Sequence, residues 1–298
     1  MIFLKILDIN DHIYPDRLRN IPDAPSKLYV EGNLNLLNST SIAIIGSRNA
    51  SENGKTLAKK FSYELSKVGI TIISGLARGI DTIAHTSSYN QAGKTIAVLG
   101  CGFNNIFPPE NFTILKNIVE NDGLIISEYS PDTIISPNKF RDRNRIISGL
   151  STAILVIEAK QKSGTGVTFN HALKQNRPVF ALPHDINDSH GIGTNRMLKK
   201  GAILITETID ILDKLHLDNE KKQFLDLRDS EEKNIENAIL SDDIQSKLYK
   251  YICNTPISVN ELARKTKFSV NEILSALFIL EMDGFVKKVE GGFVCTKT

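Results

Sequence analysis

Ser41-Ile42-Ala43-Ile44-Ile45-Gly46-Ser47-Arg48-Asn49 sets the pattern for most of the chain. A short isoleucine-rich run ends on a glycine, and polar residues take over at once. The same rhythm recurs at Ile70–Ser74, Thr95–Leu99, Leu124–Ser127, Ala153–Glu158, Pro178–Leu182 and Ala202–Ile205. Between the runs lie longer segments with helical spacing, such as Leu57, Phe61, Leu65 and Val68. Short apolar strands alternating with helices predict an α/β fold, a parallel sheet with helices on both faces. In open sheets of this kind ligands bind beyond the carboxyl ends of the strands. The turns Gly46-Ser47, Ser74-Gly75 and Gly100 therefore mark the place to look for a site.

Outside this block the pattern changes. Residues 1–40, with Tyr14-Pro15 and Ile21-Pro22-Asp23-Ala24-Pro25, read as an opening strap with few regular elements, packed on the core. Residues 41–217 form the sheet domain. Residues 218–243 carry nine acidic side chains against four basic ones and a poor apolar stripe, and read as an acidic linker with some helix. Residues 244–298 read as a small winged-helix domain. Leu248, Ile252 and Leu262 suit short helices, Val270, Ile273, Leu274, Leu277 and Leu280 form a longer stripe, and Met282-Asp283-Gly284 ends it. Phe285–Val289 and Phe293–Thr296, around Gly291-Gly292, suit a hairpin.

Composition narrows the class. The 298 residues are 41% hydrophobic and 23% charged, as in an ordinary folded protein, which excludes a disordered or collagen-like chain. No apolar run is long enough to cross a bilayer, and Met1–Asp8 lacks the features of an export signal. Cys101, Cys253 and Cys295 are scattered without metal-ligand spacing, so a reduced, cytoplasmic protein is expected. The net charge is +2, and because residues 218–243 are acidic, the rest is mildly basic and compatible with a polyanionic partner.

Four loops carry the chemistry. In the first, Gly46, Ser47 and Arg48 stand between a strand and a helix. Backbone amides there attract anions, and Arg48 can clamp a phosphate through two parallel hydrogen bonds. The plain alternative is a surface turn with a solvated Arg48. Asn49–Thr56 nearly matches a P-loop, but Asn49 replaces its first glycine, so the match is a decoy. In the second, Ser74, Gly75 and Gly79 let a ligand approach the backbone. Asp81 and His85 lie four apart and can act as a base and its orienter. The reading preferred is structural: Asp81 braces the loop and His85 bonds locally. In the third, Lys139, Phe140, Arg141, Asp142, Arg143, Asn144 and Arg145 join four cations to an aromatic ring, the combination that binds phosphates and stacks unpaired bases. The plain alternative is a solvated helix start. Ile146, Ile147 and Leu150 mark the buried side, which would put Arg143 and Asn144 at the mouth of the crevice. In the fourth, Glu158 precedes Ser163 and Gly164 in a loop like those that cradle phosphate. Glu158 can serve as an acid or base, but the preferred reading is that it holds Arg143 or Arg145 by an ion pair. His184, Asp185, Asp188 and His190 cluster in one loop, but no further ligand group is near in sequence, and no metal or cofactor is expected.

Taken in order, Tyr14-Pro15, Leu28-Tyr29, Gly46-Ser47-Arg48, Ser74–Asp81 with Ala84-His85, Ser127-Glu128, Arg143–Ser151, and Glu158-Ala159 with Ser163-Gly164 resemble the DNA-processing protein A (DprA, or Smf) family. The resemblance runs from about Tyr14 to about Glu207. It implies an extended Rossmann-like fold that binds single-stranded DNA, forms homodimers, displaces single-strand-binding protein and helps load the RecA recombinase during natural transformation, without being an enzyme. By position it implies that Ser47 and Arg48 bind phosphate, that Lys139, Phe140, Arg143 and Asn144 line the nucleic-acid path, and that Gly75 and Gly79 shape the pocket. The tail from Ile244 looks like the winged helix of many members. Many also have a helical domain ahead of the Tyr14-Pro15 region, for which this sequence leaves no room. His184 follows Pro183 where glycine is usual, Arg141 stands where proline is common, and Ser163–Thr168 departs from the usual Ser-Gly-Ser. The competing reading is a nucleotide sensor or nucleoside-monophosphate hydrolase of related fold, whose Pro-Gly-Gly run with following Thr and Glu is missing here.

Overall fold

The computed structural model describes residues 4–161, 163–240, 244–252, 256–282 and 285–296. Cys253, Asp283 and Gly284, used in the sequence reading, lie outside the described residues. The chain divides into two compact units, Met1–Phe224 and Leu225–Thr298.

The first unit is built on one nine-stranded sheet. Its strands are β1 (Lys5–Asp8), β2 (Lys27–Gly32), β3 (Ser41–Ile45), β4 (Thr71–Ser74), β5 (Thr95–Leu99), β6 (Leu124–Ser127), β7 (Ala153–Val156), β8 (Val179–Ala181) and β9 (Ile203–Leu204). The helices are α1 (Asp16–Arg19), α2 (Glu52–Lys67), α3 (Ile80–Ser88), α4 (Phe112–Glu120), α5 (Pro137–Leu150), α6 (Gly164–Lys174), α7 (Ile192–Lys199) and α8 (Thr208–Lys214). The strand order is β1-β2-β6-β5-β4-β3-β7-β8-β9, and the pairs from β6 to β9 are parallel.

The apolar runs form continuous strands because both faces of the sheet are covered. Ile96 and Val98 belong to one buried cluster with Ile146, Leu150 and Phe169, while Ala97 and Leu99 belong to another with Leu115 and Ile118. Neighbouring residues of one strand thus feed opposite layers, and every residue of β3 through β7 is buried.

The opening strap differs from its expectation. Residues 1–40 hold two strands, and β2 pairs antiparallel with β6, placing Tyr29 opposite Ser127 and Glu31 opposite Ile125. β1 then pairs with β2. These strands are brief and half exposed, so they show no continuous apolar run. Tyr14 fixes the strap, being buried and donating its hydroxyl hydrogen bond to the Pro25 carbonyl at 2.7 Å.

The polar stretch after residue 217 forms one helix, α9 (Asp218–Leu240), where a linker with some helix is expected. The second unit then holds α10 (Ile244–Tyr249), α11 (Val259–Thr266), α12 (Val270–Met282) and the hairpin β10 (Val286–Val289) and β11 (Gly292–Cys295). Leu248, Ile252, Leu262, Ile273, Leu277, Leu280, Val286 and Phe293 form its core. Three helices and a wing match the expected winged helix. Among the described residues no helix is long and apolar enough to cross a membrane.

Candidate nucleic-acid interface

The strand order reverses at β3, whose neighbours are β4 on one side and β7 on the other. The loops after these strands converge there, which is where open α/β sheets form a crevice.

The loop after β3 is held from beneath. Ser47 is buried, and its hydroxyl donates to the Asn49 carbonyl at 2.9 Å and accepts from the Asn49 amide at 3.2 Å. Gly46 has no room for a side chain, because a Cβ would sit 2.5 Å from Ile80 Cγ1. Arg48 points outward and is exposed. Ser51 then caps α2, accepting from the Gly54 amide at 2.9 Å. In the stretch that nearly matches a P-loop, Lys55 pairs with Glu52 at 2.6 Å and the Thr56 hydroxyl donates to the Glu52 carbonyl.

The loop after β4 is closed around Asp81 and His85. One Asp81 carboxylate oxygen accepts from the Gly75 amide at 3.1 Å and the Ala77 amide at 3.4 Å. His85 Nε2 accepts from the Leu76 amide at 3.3 Å, so its proton sits on Nδ1, 2.8 Å from the Thr95 hydroxyl. Burial pulls this imidazole down to about 3, and the Arg143 charge adds to that. Burial pushes the Asp81 carboxyl up, against the Arg143 charge and the loop's own hydrogen bonds. Both residues brace the loop, as the structural reading holds. Ser74 donates to the Ile44 carbonyl at 2.7 Å, tying β4 to β3. Gly79 adopts φ 76°, and a Cβ there would meet the Ser47 carbonyl oxygen at 2.3 Å. Only glycine lets the second loop lie against the first.

The cationic segment Lys139–Arg145 occupies the first turns of α5 and divides into two sets. Arg143 turns inward: it is buried, and one guanidinium nitrogen donates to the Gly75 and Val98 carbonyls. A Cβ on Gly75 would strike that guanidinium. Burial lowers its pKa and the Asp81 carboxylate opposes the shift. Arg145 forms a two-pronged bridge to Glu128, at 2.9 and 2.5 Å, and donates to the Asp23 carbonyl at 2.8 Å. It fastens the strap to α5. Asn144 reaches the Gly164 carbonyl at 3.4 Å and accepts from Arg143. The expectation that Arg143 sits at the mouth is therefore corrected. It lies beneath, on the same helical stripe as Ile146, Ile147 and Leu150, and the sequence carried that signal at spacings of three, four and seven.

The outward set stays open. The Arg48 guanidinium lies 5.9 Å from the Phe140 ring centre, and Phe140 packs against Gly100. Lys139 lies 5.5 Å from the Tyr129 ring and donates to the Ile134 carbonyl at 2.9 Å. Two residues that the sequence did not single out join this rim. Phe107 stands 5.8 Å from Phe140, and the Arg78 guanidinium lies 5.9 Å from Phe107. Neither has a periodic signal, because both lie in loops.

The loop after β7 corrects another expectation. Among the described residues Glu158 holds Ser51 and no arginine. Fully buried, it accepts from the Ser51 amide at 3.0 Å and the Ser51 hydroxyl at 2.8 Å, fixing the start of α2. Gly54 leaves room for its carboxylate. Thr165 donates to the Gly46 carbonyl at 3.2 Å, lacing this loop to the first. The Ser163 hydroxyl at the start of α6 is buried without a partner among the described residues, and open space lies over Gly164. His184 and His190 each pair with Asp188, and His184 Nε2 also meets the Ile157 carbonyl at 2.8 Å. Among the described residues no group of three His, Cys, Asp or Glu side chains is placed to hold a metal ion.

Residues 5–216 match the family described as DNA recombination-mediator protein A, and residues 236–292 match the DprA winged helix domain. Protein Smf of Escherichia coli (strain K12) is 36% identical over 295 residues, covering 97% of this chain and 76% of that protein. DNA processing protein DprA of Streptococcus pneumoniae is 40% identical over 204 residues, covering 68% and 72%. The solved S. pneumoniae structure superposes with a TM-score of 0.67 at 39% identity, covering 71% of this chain and 74% of that one. DNA processing protein A of Helicobacter pylori, solved to describe its single-stranded DNA binding mode, superposes with a TM-score of 0.66 at 33% identity, covering 73% and 97%. With the Rossmann-like sheet and the winged helix both matched, the chain belongs to the DNA recombination-mediator protein A family.

Proposed function

We propose that this protein binds single-stranded DNA without reading its sequence, along the rim formed by the β3 and β7 loops and the start of α5. The observation that carries the reading is Arg48 over Phe140, a phosphate-binding cation and a base-stacking ring side by side at the strand-order reversal. Arg48, Lys139, Phe140, Asn144, Ser163 and Gly164 form the contact surface. Gly46, Ser47, Ser74, Gly75, Gly79, Arg143 and Arg145 hold it in shape. The H. pylori relative, described by its single-stranded DNA binding mode, favours the same ligand.

A binding role rather than catalysis is favoured by how the acid–base candidates are used. Asp81, His85 and Glu158 are buried and committed to loop amides and hydroxyls. A duplex-reading role for the winged helix is disfavoured by α12, the position of a recognition helix. That helix has no lysine or arginine, and it exposes Leu274, Phe278 and Met282. The basic residues Arg264, Lys265 and Lys267 belong to α11 and its end, where Lys265 pairs with Glu261 at 3.1 Å. By family membership the setting is DNA uptake and recombination in the cytoplasm. A homodimer would receive the strand, displace single-strand-binding protein and pass the strand to RecA.

The test is a titration of the full chain with oligo-dT, the matching duplex and AMP at two salt concentrations. Tight, salt-dependent binding of oligo-dT over duplex, retained after deletion of residues 218–298, is expected. Release of adenine from AMP, or loss of single-strand binding with the deletion, overturns the assignment.

A further inference from the structure

The rim continues past Phe140. Arg48, Phe140, Phe107 and Arg78 form a row of cation, ring, ring and cation, with steps of 5.9, 5.8 and 5.9 Å. Its members come from four separate places in the chain: the loop after β3, the start of α5, the loop after β5 and the loop after β4. Phe107 is 37% exposed, so one side of its ring is open to solvent. The rings are tilted at 52°, so they do not stack flat on each other and each keeps a face toward its own neighbour. Arg78 bonds to Glu110 through Nε at 2.5 Å while 59% of its side chain stays in solvent.

We propose that Phe107 and Arg78 form a second nucleotide position, adjacent to the one at Phe140. It takes the next base of a single strand on Phe107 and the following phosphate on Arg78. This rests on the single-strand reading above and extends it to residues outside the Arg48–Phe140 pair. A duplex, whose bases are stacked on each other, cannot offer a base to either ring. Two positions in series therefore deepen discrimination against duplex DNA. Glu110 holds the Arg78 fork beside the ring, and a phosphate replaces its carboxylate when the strand arrives.

The experiment uses the full chain and oligo-dT carrying 2-aminopurine at one position, moved stepwise along the strand. The wild type quenches two neighbouring positions. Phe107→Ala quenches one and binds the longer oligonucleotides about 5- to 100-fold more weakly, with the salt slope unchanged. Phe107→Leu, which keeps apolar bulk at the site, reproduces that loss if the ring itself is needed. Arg78→Ala makes the salt slope shallower by about 0.7, one phosphate contact on a single strand. Wild-type affinity and two quenched positions in both Phe107 variants, while Phe140→Ala loses binding, overturn the second position and leave the single-strand reading standing. Failure of the wild type to bind oligo-dT at all removes the reading itself.

Discussion

The floor and the rim of the candidate interface use arginine in opposite ways. On the floor, Arg143, Asp81 and His85 are buried, and each is engaged with the loops around it. On the rim, Arg48, Phe140, Phe107 and Arg78 meet one another only through ring faces, and the cations stay in solvent. A closed polar network gives the loops one shape, and in the proposed function the open row receives the ligand, so the same substitution has different consequences in the two places.

Four substitutions sharpen that comparison. Arg143→Ala leaves the Gly75 and Val98 carbonyls without their donor and Asp81 without its nearby positive charge. A loss of about 3–5 kcal/mol of stability in the first unit is expected by urea titration, with weaker DNA binding as a consequence of disordered loops. A fully stable variant would move Arg143 from the floor to the rim. His85 sets a pH slope. Its folded-state value of about 3 lies below the ordinary 6.5, so the unfolded chain binds the extra proton between those values. Stability from this group is complete above about pH 6.5 and falls by about 1.4 kcal/mol per pH unit below it. Asp81, pushed up by burial, acts in the opposite sense, and His85→Gln isolates the imidazole by removing its slope.

On the rim the measured quantity is affinity. Phe140→Ala weakens oligo-dT binding by about 1–3 kcal/mol, with the salt dependence little changed. Arg48→Ala alters stability by no more than about 0.5 kcal/mol and makes the salt slope shallower by about 0.7. Equal binding by wild type and Arg48→Ala at matched salt would break the division between the two regions.

The sheet was readable because β3 to β7 are covered on both faces and so appear as uninterrupted apolar runs. β1 and β2 escaped notice because each shows an exposed face and sits among prolines and asparagines. The converging loops were readable for a related reason: parallel strands with glycine ends point to a crevice. Which arginine faces inward was written in the helical spacing of Arg143, Ile146, Ile147 and Leu150, but the density of charge around it hid the signal. The contact between Glu158 and Ser51 joins residues far apart in the chain, and no local pattern announces it. Phe107 and Arg78 come together for the same reason, through the ends of different strands.

The pairing of β2 with β6 has a consequence for synthesis. Tyr29 leaves the ribosome long before its partner Ser127 exists. Until then the strap's two strands have only each other, and an isolated hairpin is marginally stable in water. Parallel strands β3, β4 and β5 must also wait for their crossover helices. The N-terminal segment is thus the first made and among the last secured, and β6 carries an unprotected margin until it arrives. Removing residues 1–32 would make that margin permanent, turning a passing hazard of biogenesis into a lasting template for aggregation.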